Sequence, residues 1–202
     1  MRKLLTLFVL GGLLAGCGSN PVGPDERQLL TQLHPIYVNG NPPNPWYLYD
    51  DSLETQAWFK GMAVWDNYLW VTVNPSWTVN PYRGSDCLDV TYANNGGSPT
   101  WAELAFIHTP DYSTYASTPG VNISAGGYTK CRFMLRTSVP ATTSFQMDGV
   151  SAVNIAATTS WQLVTIALPA PATQTAVKTF FQVNTPSVLP LDIFIDDLRY
   201  EQ

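Results

Sequence analysis

The sequence predicts an all-β domain, an antiparallel sandwich or jelly roll of about nine strands behind a signal peptide and a flexible tether. Three observations predict it. Apolar and polar residues alternate with period two after residue 35, where no window sustains the 3.6-residue period of an amphipathic helix. Turn-forming clusters punctuate that alternation at 93–99, Gly126-Gly127, Pro140, Gly149, Pro169 to Pro171 and Pro186 to Pro190. The stretch carrying them is about 155 residues long, the size of one domain that buries its own core without metal or disulfide. No internal repeat is evident, which argues against a propeller or solenoid.

At the N-terminus, Arg2 and Lys3 precede an apolar run from Leu4 to Leu14, broken by Thr6, Gly11 and Gly12, and then Ala15-Gly16-Cys17. This order reads as a secretion signal, too short to span a bilayer as a permanent helix. Leu14-Ala15-Gly16-Cys17 resembles the lipobox of bacterial lipoproteins. The resemblance implies removal of residues 1–16, lipidation of Cys17 and a mature protein tethered to the membrane by several acyl chains, since each buried methylene contributes roughly 0.8 kcal/mol. Gly18 stands where the family's aspartate signal for inner-membrane retention would be, so the expected location is the cell envelope, at the outer membrane. Residues 17–45 read as the lipidated tether, polar at first and closed by the proline cluster 39–45. Within it, only 26–33 has a helical pattern.

The domain, 46–202, is expected to hold strands at 46–50, 68–73, 85–92, 101–107, 129–137, 144–148, 161–168, 177–183 and 192–200. Val164, Ile166 and Leu168 on one strand, with Ile193 and Ile195 on another, supply facing core layers, and Trp161, Phe133, Phe145 and Phe181 are assigned to the core. Cys87 and Cys131 form an even pair in an oxidising compartment, which favours a disulfide. Alternation argues the other way: Leu88, Val90 and Tyr92 leave Cys87 on the opposite face, whereas Cys131 is in phase with Phe133 and Leu135. Both alternatives stay open at this point.

Without Arg2 and Lys3 the chain holds eight basic against fifteen acidic residues, a net charge near −7, which excludes nucleic acid as a partner. Enzymatic chemistry finds little support. His34 and His108 belong to no metal spacing or nucleophile elbow, and the closely spaced carboxylates of a jelly-roll glycanase are missing. His108 reads as a surface hydrogen-bonder beside a proline loop.

Four motifs occur in order: Tyr49-Asp50-Asp51-Ser52-Leu53; Arg83-Gly84-Ser85 leading into Leu88-Asp89-Val90-Thr91-Tyr92; Thr159-Ser160-Trp161 with Val164-Thr165-Ile166-Ala167-Leu168; and Phe194-Ile195-Asp196-Asp197-Leu198. Together they resemble the galactose-binding-like β-jelly-roll domains that serve as carbohydrate-binding modules. The resemblance implies a structural calcium where the first strand meets the last, with Asp50, Asp51, Asp196 and Asp197 as candidate ligands and Asp51 and Asp196 preferred. Strand parity puts Asp50 and Asp196 at the same end. The alternative is that these aspartates accept turn hydrogen bonds.

A sugar site needs an aromatic platform flanked by hydrogen-bonding groups. Trp77, Tyr82, Tyr112 and Tyr115 lie in expected loops that the same parity count gathers at one end. A sheet face is the second candidate: Trp101 and Glu103 alternate away from Ala102, Leu104 and Phe106, and Arg132, Met134 and Arg136 alternate away from Phe133 and Leu135. The expected function is a membrane-anchored, non-catalytic protein that binds a polysaccharide or oligosaccharide through loop aromatics. The alternative is an assembly lipoprotein whose jelly roll docks another envelope protein.

Overall fold

The computed structural model describes residues 44–53, 60–66, 70–93, 102–110 and 112–202. The expected signal peptide, Cys17, most of the tether and Trp101 lie outside them. Among the described residues the chain forms eleven strands: β1 (Trp46–Tyr49), β2 (Gly61–Asp66), β3 (Val71–Trp77), β4 (Cys87–Tyr92), β5 (Ala102–Ile107), β6 (Lys130–Thr137), β7 (Ala141–Met147), β8 (Val150–Ala157), β9 (Gln162–Ala167), β10 (Thr179–Asn184) and β11 (Leu191–Glu201). They make two antiparallel sheets. The first runs β3-β4-β11-β6-β9, with β1 also paired to β11, and the second runs β2-β5-β10-β7-β8. The expected all-β sandwich is therefore present.

Two strands, β2 and β8, are additions to the expected nine. In β2 the outward positions Ala63 and Trp65 are covered by Tyr115, so both faces are apolar and the period-two signal is lost. In β8 the outward positions Ala152 and Ala156 are alanines, which carry almost no polar signal, and the strand reads as the tail of the Gly149 turn.

The core lies between the sheets. Leu88, Val90, Phe133, Leu135, Ile193 and Ile195 from the first sheet meet Leu104, Phe106, Phe145, Phe181 and Val183 from the second. Phe133 contacts Phe145 and Phe181 across the layers at 4.9 and 5.0 Å between ring centroids. Each buried ring contributes about 1.5–3 kcal/mol by area, and each aromatic pair roughly 0.5–1.5 kcal/mol beyond it. Tyr92 also crosses the core, its hydroxyl donating to Val183 O at 2.8 Å, so a phenol stays inside without an orphaned oxygen. Trp46 seals the end where β1 enters, packed edge-on against Phe180 and Tyr200.

The cysteine question resolves by sheet parity. Cys131 joins the core beside Phe133, while Cys87 is buried on the other face of the first sheet, in register with Trp77. Both thiols are free.

Candidate ligand-binding faces

The acidic cluster forms where β1 runs antiparallel along β11, with Trp46 opposite Tyr200 and Tyr49 opposite Leu198. Asp50 and Asp51 thus arrive beside Asp196 and Asp197, which occupy an irregularity in the β11–β6 ladder. Asp196 sits inside a strand, not at its end as parity suggested. Its Oδ2 accepts the N–H groups of Tyr82 and Arg83 at 2.9 and 3.0 Å, and its Oδ1 accepts that of Asp197. Asp51 Oδ1 accepts from Ser85 and Asp86 at 3.0 and 3.1 Å, and Asp197 Oδ2 faces the guanidinium of Arg199. Gly84, at φ 60°, fits between them because any Cβ there would fall on the Asp51 carboxylate. Asp51 and Asp196 hold the 82–86 loop and Asp197 Oδ2 meets Arg199, while Asp197 Oδ1 is buried with no hydrogen-bond partner among the described residues.

Pinned in this way, the loop between β3 and β4 folds back over the outer face of the first sheet. Val79 O accepts from Arg136 Nη2 at 3.0 Å, and Asn80 O accepts from Trp161 Nε1 at 3.1 Å. Below it the Arg136 guanidinium carbon lies 3.7 Å from the ring centroid of Phe194 and 5.0 Å from that of Trp161, both at cation–π range. Trp77 ends β3 and tilts against Phe194 at 6.1 Å, so it belongs to a strand rather than a loop. Tyr82 stands on the rim, edge-on to Trp161 at 6.1 Å and 43% exposed. Trp161 is consequently outside the core to which its sequence position assigned it. Phe194, although outward-facing, is buried, and beside it burial raises the Asp89 carboxyl to about 6, with Asp192 adding to the shift and Arg136 opposing it. Most of this face is closed by the protein itself.

The outer face of the second sheet is built differently. Over β2 and β5, Ala63, Ala105 and Ile107 form a small apolar floor. The segment after β5 returns over that floor and brings Tyr115 edge-on to Trp65 at 5.2 Å and to His108 at 5.5 Å. The Tyr115 hydroxyl shares a hydrogen bond with Thr179 Oγ1 at 2.8 Å. His108 is buried, not a surface group, and its ring nitrogens lie 3.1 Å from Lys178 O and Thr118 O. The aromatic wall is therefore fixed to the start of β10 through Thr179 and to the residue before it through Lys178 O.

Beyond the wall the floor becomes polar. Gln182 is opposite Ala105 on one side and Gln146 on the other, and Asn184 is opposite Ser144, which is opposite Asn154. Gln182 Nε2 donates to Asn184 Oδ1 at 2.6 Å, and Asn184 Nδ2 donates to Ser144 Oγ at 3.1 Å. Glu103 pairs with Trp65 at the edge of this row, its carboxyl raised by burial. Gln146 and Asn154 are exposed; Gln182, Asn184 and Ser144 are half-buried. The result is a row of oriented amides and a hydroxyl beside an aromatic corner, able to donate to and accept from hydroxyl groups.

The expected grouping of Trp77 with Tyr115 at one end does not form. Trp77 and Tyr82 serve the first sheet and Tyr115 the second, because both loops fold back over sheet faces. Tyr112 lies in a 3-10 turn, Tyr112–Thr114, and its ring is outside the described side chains. The second candidate, one sheet face carrying Glu103 with Arg132 and Arg136, is also corrected, since β5 and β6 belong to different sheets. Sequence reading missed Trp65, Gln182, Asn184, Ser144 and Asn154. The alternation Gln182-Val183-Asn184 was the available signal.

No family model matches the chain, and no curated protein matches it. Among solved structures, BiXyn10A CBM1 in its apo form is similar over 79% of this chain and 99% of that one, with a TM-score of 0.50 at 12% identity. TmCBM61 in complex with β-1,4-galactotriose matches over 72% of this chain and 91% of that one, with a TM-score of 0.46 at 14% identity. The family 11 carbohydrate-binding module of the cellulosomal cellulase Lic26A-Cel5E of Clostridium thermocellum matches over 75% and 91%, with a TM-score of 0.43 at 11% identity. At 12% identity the likeness to BiXyn10A CBM1 is one of fold alone.

Proposed function

We propose that this chain is a non-catalytic, membrane-anchored carbohydrate-binding lipoprotein, and that its glycan lies on the outer face of the five-stranded sheet. The observation that carries this reading is the hydrogen-bonded row Gln182–Asn184–Ser144 beside the Trp65–Tyr115 corner. Sugars present apolar C–H faces and a rim of hydroxyls. Aromatic rings serve the first and preoriented amides the second. Amides already held by one another lose little side-chain entropy on binding, which favours affinity. The resemblance of the four sequence motifs to carbohydrate-binding modules supports the ligand class, and the lipobox at Cys17 supports anchoring at the outer membrane.

A glycan array followed by affinity electrophoresis tests the reading. The protein is expected to be retarded by a polysaccharide, and Asn184→Ala is expected to weaken retention about tenfold, because a buried sugar hydroxyl then loses its partner at a cost of roughly 1–3 kcal/mol. No retardation by any glycan on the array would remove carbohydrate binding. Retardation unchanged in a folded Asn184→Ala protein would move the site elsewhere.

A further inference from the structure

We infer that two copies of this chain associate through β8, the edge strand of the second sheet, paired antiparallel with its twin. An edge strand exposes a row of N–H and C=O groups that accept another strand, and proteins ordinarily guard such edges with charge, proline or a bulge. β3, at one edge of the first sheet, is guarded in this manner by Pro75 and by an irregular register between Asn74 and Trp77. β2, at the other edge of the second sheet, ends on Asp66 and has its outward floor under the Tyr115 segment. β8 has one irregularity, beside its hairpin turn, where Ser151 and Ala152 together face Gln146. Its eight residues, Val150–Ala157, include no charge and no proline, and Ser151, Ala152, Asn154 and Ala156 are exposed.

Among the described residues β8 pairs only with β7, so alternate residues turn their backbone groups away from that ladder. At its end, Ala156 O accepts Gln162 Nε2 at 3.0 Å, which leaves the regular stretch beyond the bulge, 153–155, for a partner. A second copy fits this edge for two reasons. Antiparallel pairing of a strand with itself generates the closed two-fold interface that most homodimers use. Charge then selects the side on which two copies meet, because the chain has a net charge of −5 and like copies repel wherever it is concentrated. From Gly149 to Val177 there is no charged residue, and this segment supplies both β8 and β9, the two edges on that side of the sandwich. Asp89, Asp192 and Asp196 lie instead on β4 and β11, away from it.

Sedimentation equilibrium of the full chain in density-matched detergent, with hydrogen exchange of the β8 amides, tests the inference. The expected result is a species of twice the chain's mass whose β8 amides exchange at least tenfold more slowly as concentration rises through the dimerisation range. Ala152→Lys together with Ala156→Lys should return a folded monomer whose melting temperature no longer depends on concentration. A chain that stays monomeric, or a dimer that persists in the folded double variant, overturns the inference. If the variant does not fold, exchange in the parent decides: β8 amides indifferent to concentration, or protected in a monomer by another segment of the chain, overturn it equally.

Discussion

Asp196 Oδ2 accepts the backbone N–H of Tyr82 at 2.9 Å, joining the middle of the last strand to a loop 114 residues earlier. With Arg83 on the same oxygen and Asp197 on the other, one fully buried carboxylate holds three backbone donors. Charge-assisted bonds of this kind are the strong ones, and deleting their acceptor orphans every donor at once. Asp196→Ala is expected to cost about 3 kcal/mol in urea denaturation, and Asp196→Asn about half as much, because one acceptor oxygen is kept. Since backbone donors hold Asp51 and Asp196 and Arg199 meets Asp197 Oδ2, melting curves in excess calcium and in chelator are expected to coincide. A calcium-dependent rise in melting temperature would reinstate the metal site that the resemblance implied.

That arrangement shows how much of the site was legible in the sequence. The aspartate pairs announced themselves by type and position, and their alternative role as acceptors of turn hydrogen bonds matches the bonds that form. What could not be read was the partner, because Tyr82 and Arg83 offer only backbone N–H groups, which every residue has. The sandwich was legible for a similar reason in reverse, since alternation such as Val164-Thr165-Ile166 records burial directly. Alternation fails where a loop covers the outer face, as over Ala63 and Trp65, and where outward residues are alanine, as in β8. The choice of binding face depended on both of these strands.

Asp89 gives the stability a pH dependence that follows from its position beside Phe194. Its Oδ1 is buried with no hydrogen-bond partner among the described residues, and burial lifts its carboxyl to about 6. The unfolded chain releases this proton near the ordinary value of about 3.9. Between those values the folded state binds more protons than the unfolded state, so stability falls as pH rises from about 4 to about 6 and stays reduced above it. Asp89→Asn is expected to flatten this part of the profile and to stabilise the protein at pH 7 by about 1–3 kcal/mol. Urea midpoints at pH 4, 5, 6 and 7 measure it; parallel profiles for parent and variant would refute the assignment.

The two domain thiols are expected to be inert without being bonded. Cys87 and Cys131 are on opposite faces of one sheet, and burial pushes the Cys87 thiol up to about 12 and that of Cys131 up as well. A thiol held protonated is a poor nucleophile. A thiol reagent should therefore label neither in the native protein and both after unfolding, and a reductant should leave the melting temperature unchanged. Loss of both reactive thiols in the unfolded, unreduced protein would mean that a disulfide forms after all.

Tyr115 separates the two candidate faces. Its hydroxyl bonds Thr179 and its ring stands edge-on to Trp65, so Tyr115→Phe removes one hydrogen bond and keeps the wall, at a cost of about 1 kcal/mol in stability. Binding should persist in that variant. Tyr115→Ala takes away the wall itself and uncovers Ala105 and Ile107, so it is expected to lower stability by roughly 2 kcal/mol and glycan affinity by about thirtyfold, as loss of a hot-spot ring does. Trp77→Ala and Tyr82→Ala act on the other sheet, around Phe194 and Trp161. Trp77→Ala should destabilise the closed face, Tyr82→Ala should do so only slightly, and neither should change retention by polysaccharide. Affinity electrophoresis of the four folded variants decides between the faces. If Tyr82→Ala abolishes retention while Tyr115→Ala keeps it, the glycan sits on the rim of the first sheet, and the amide row of the second is a solvated strand face.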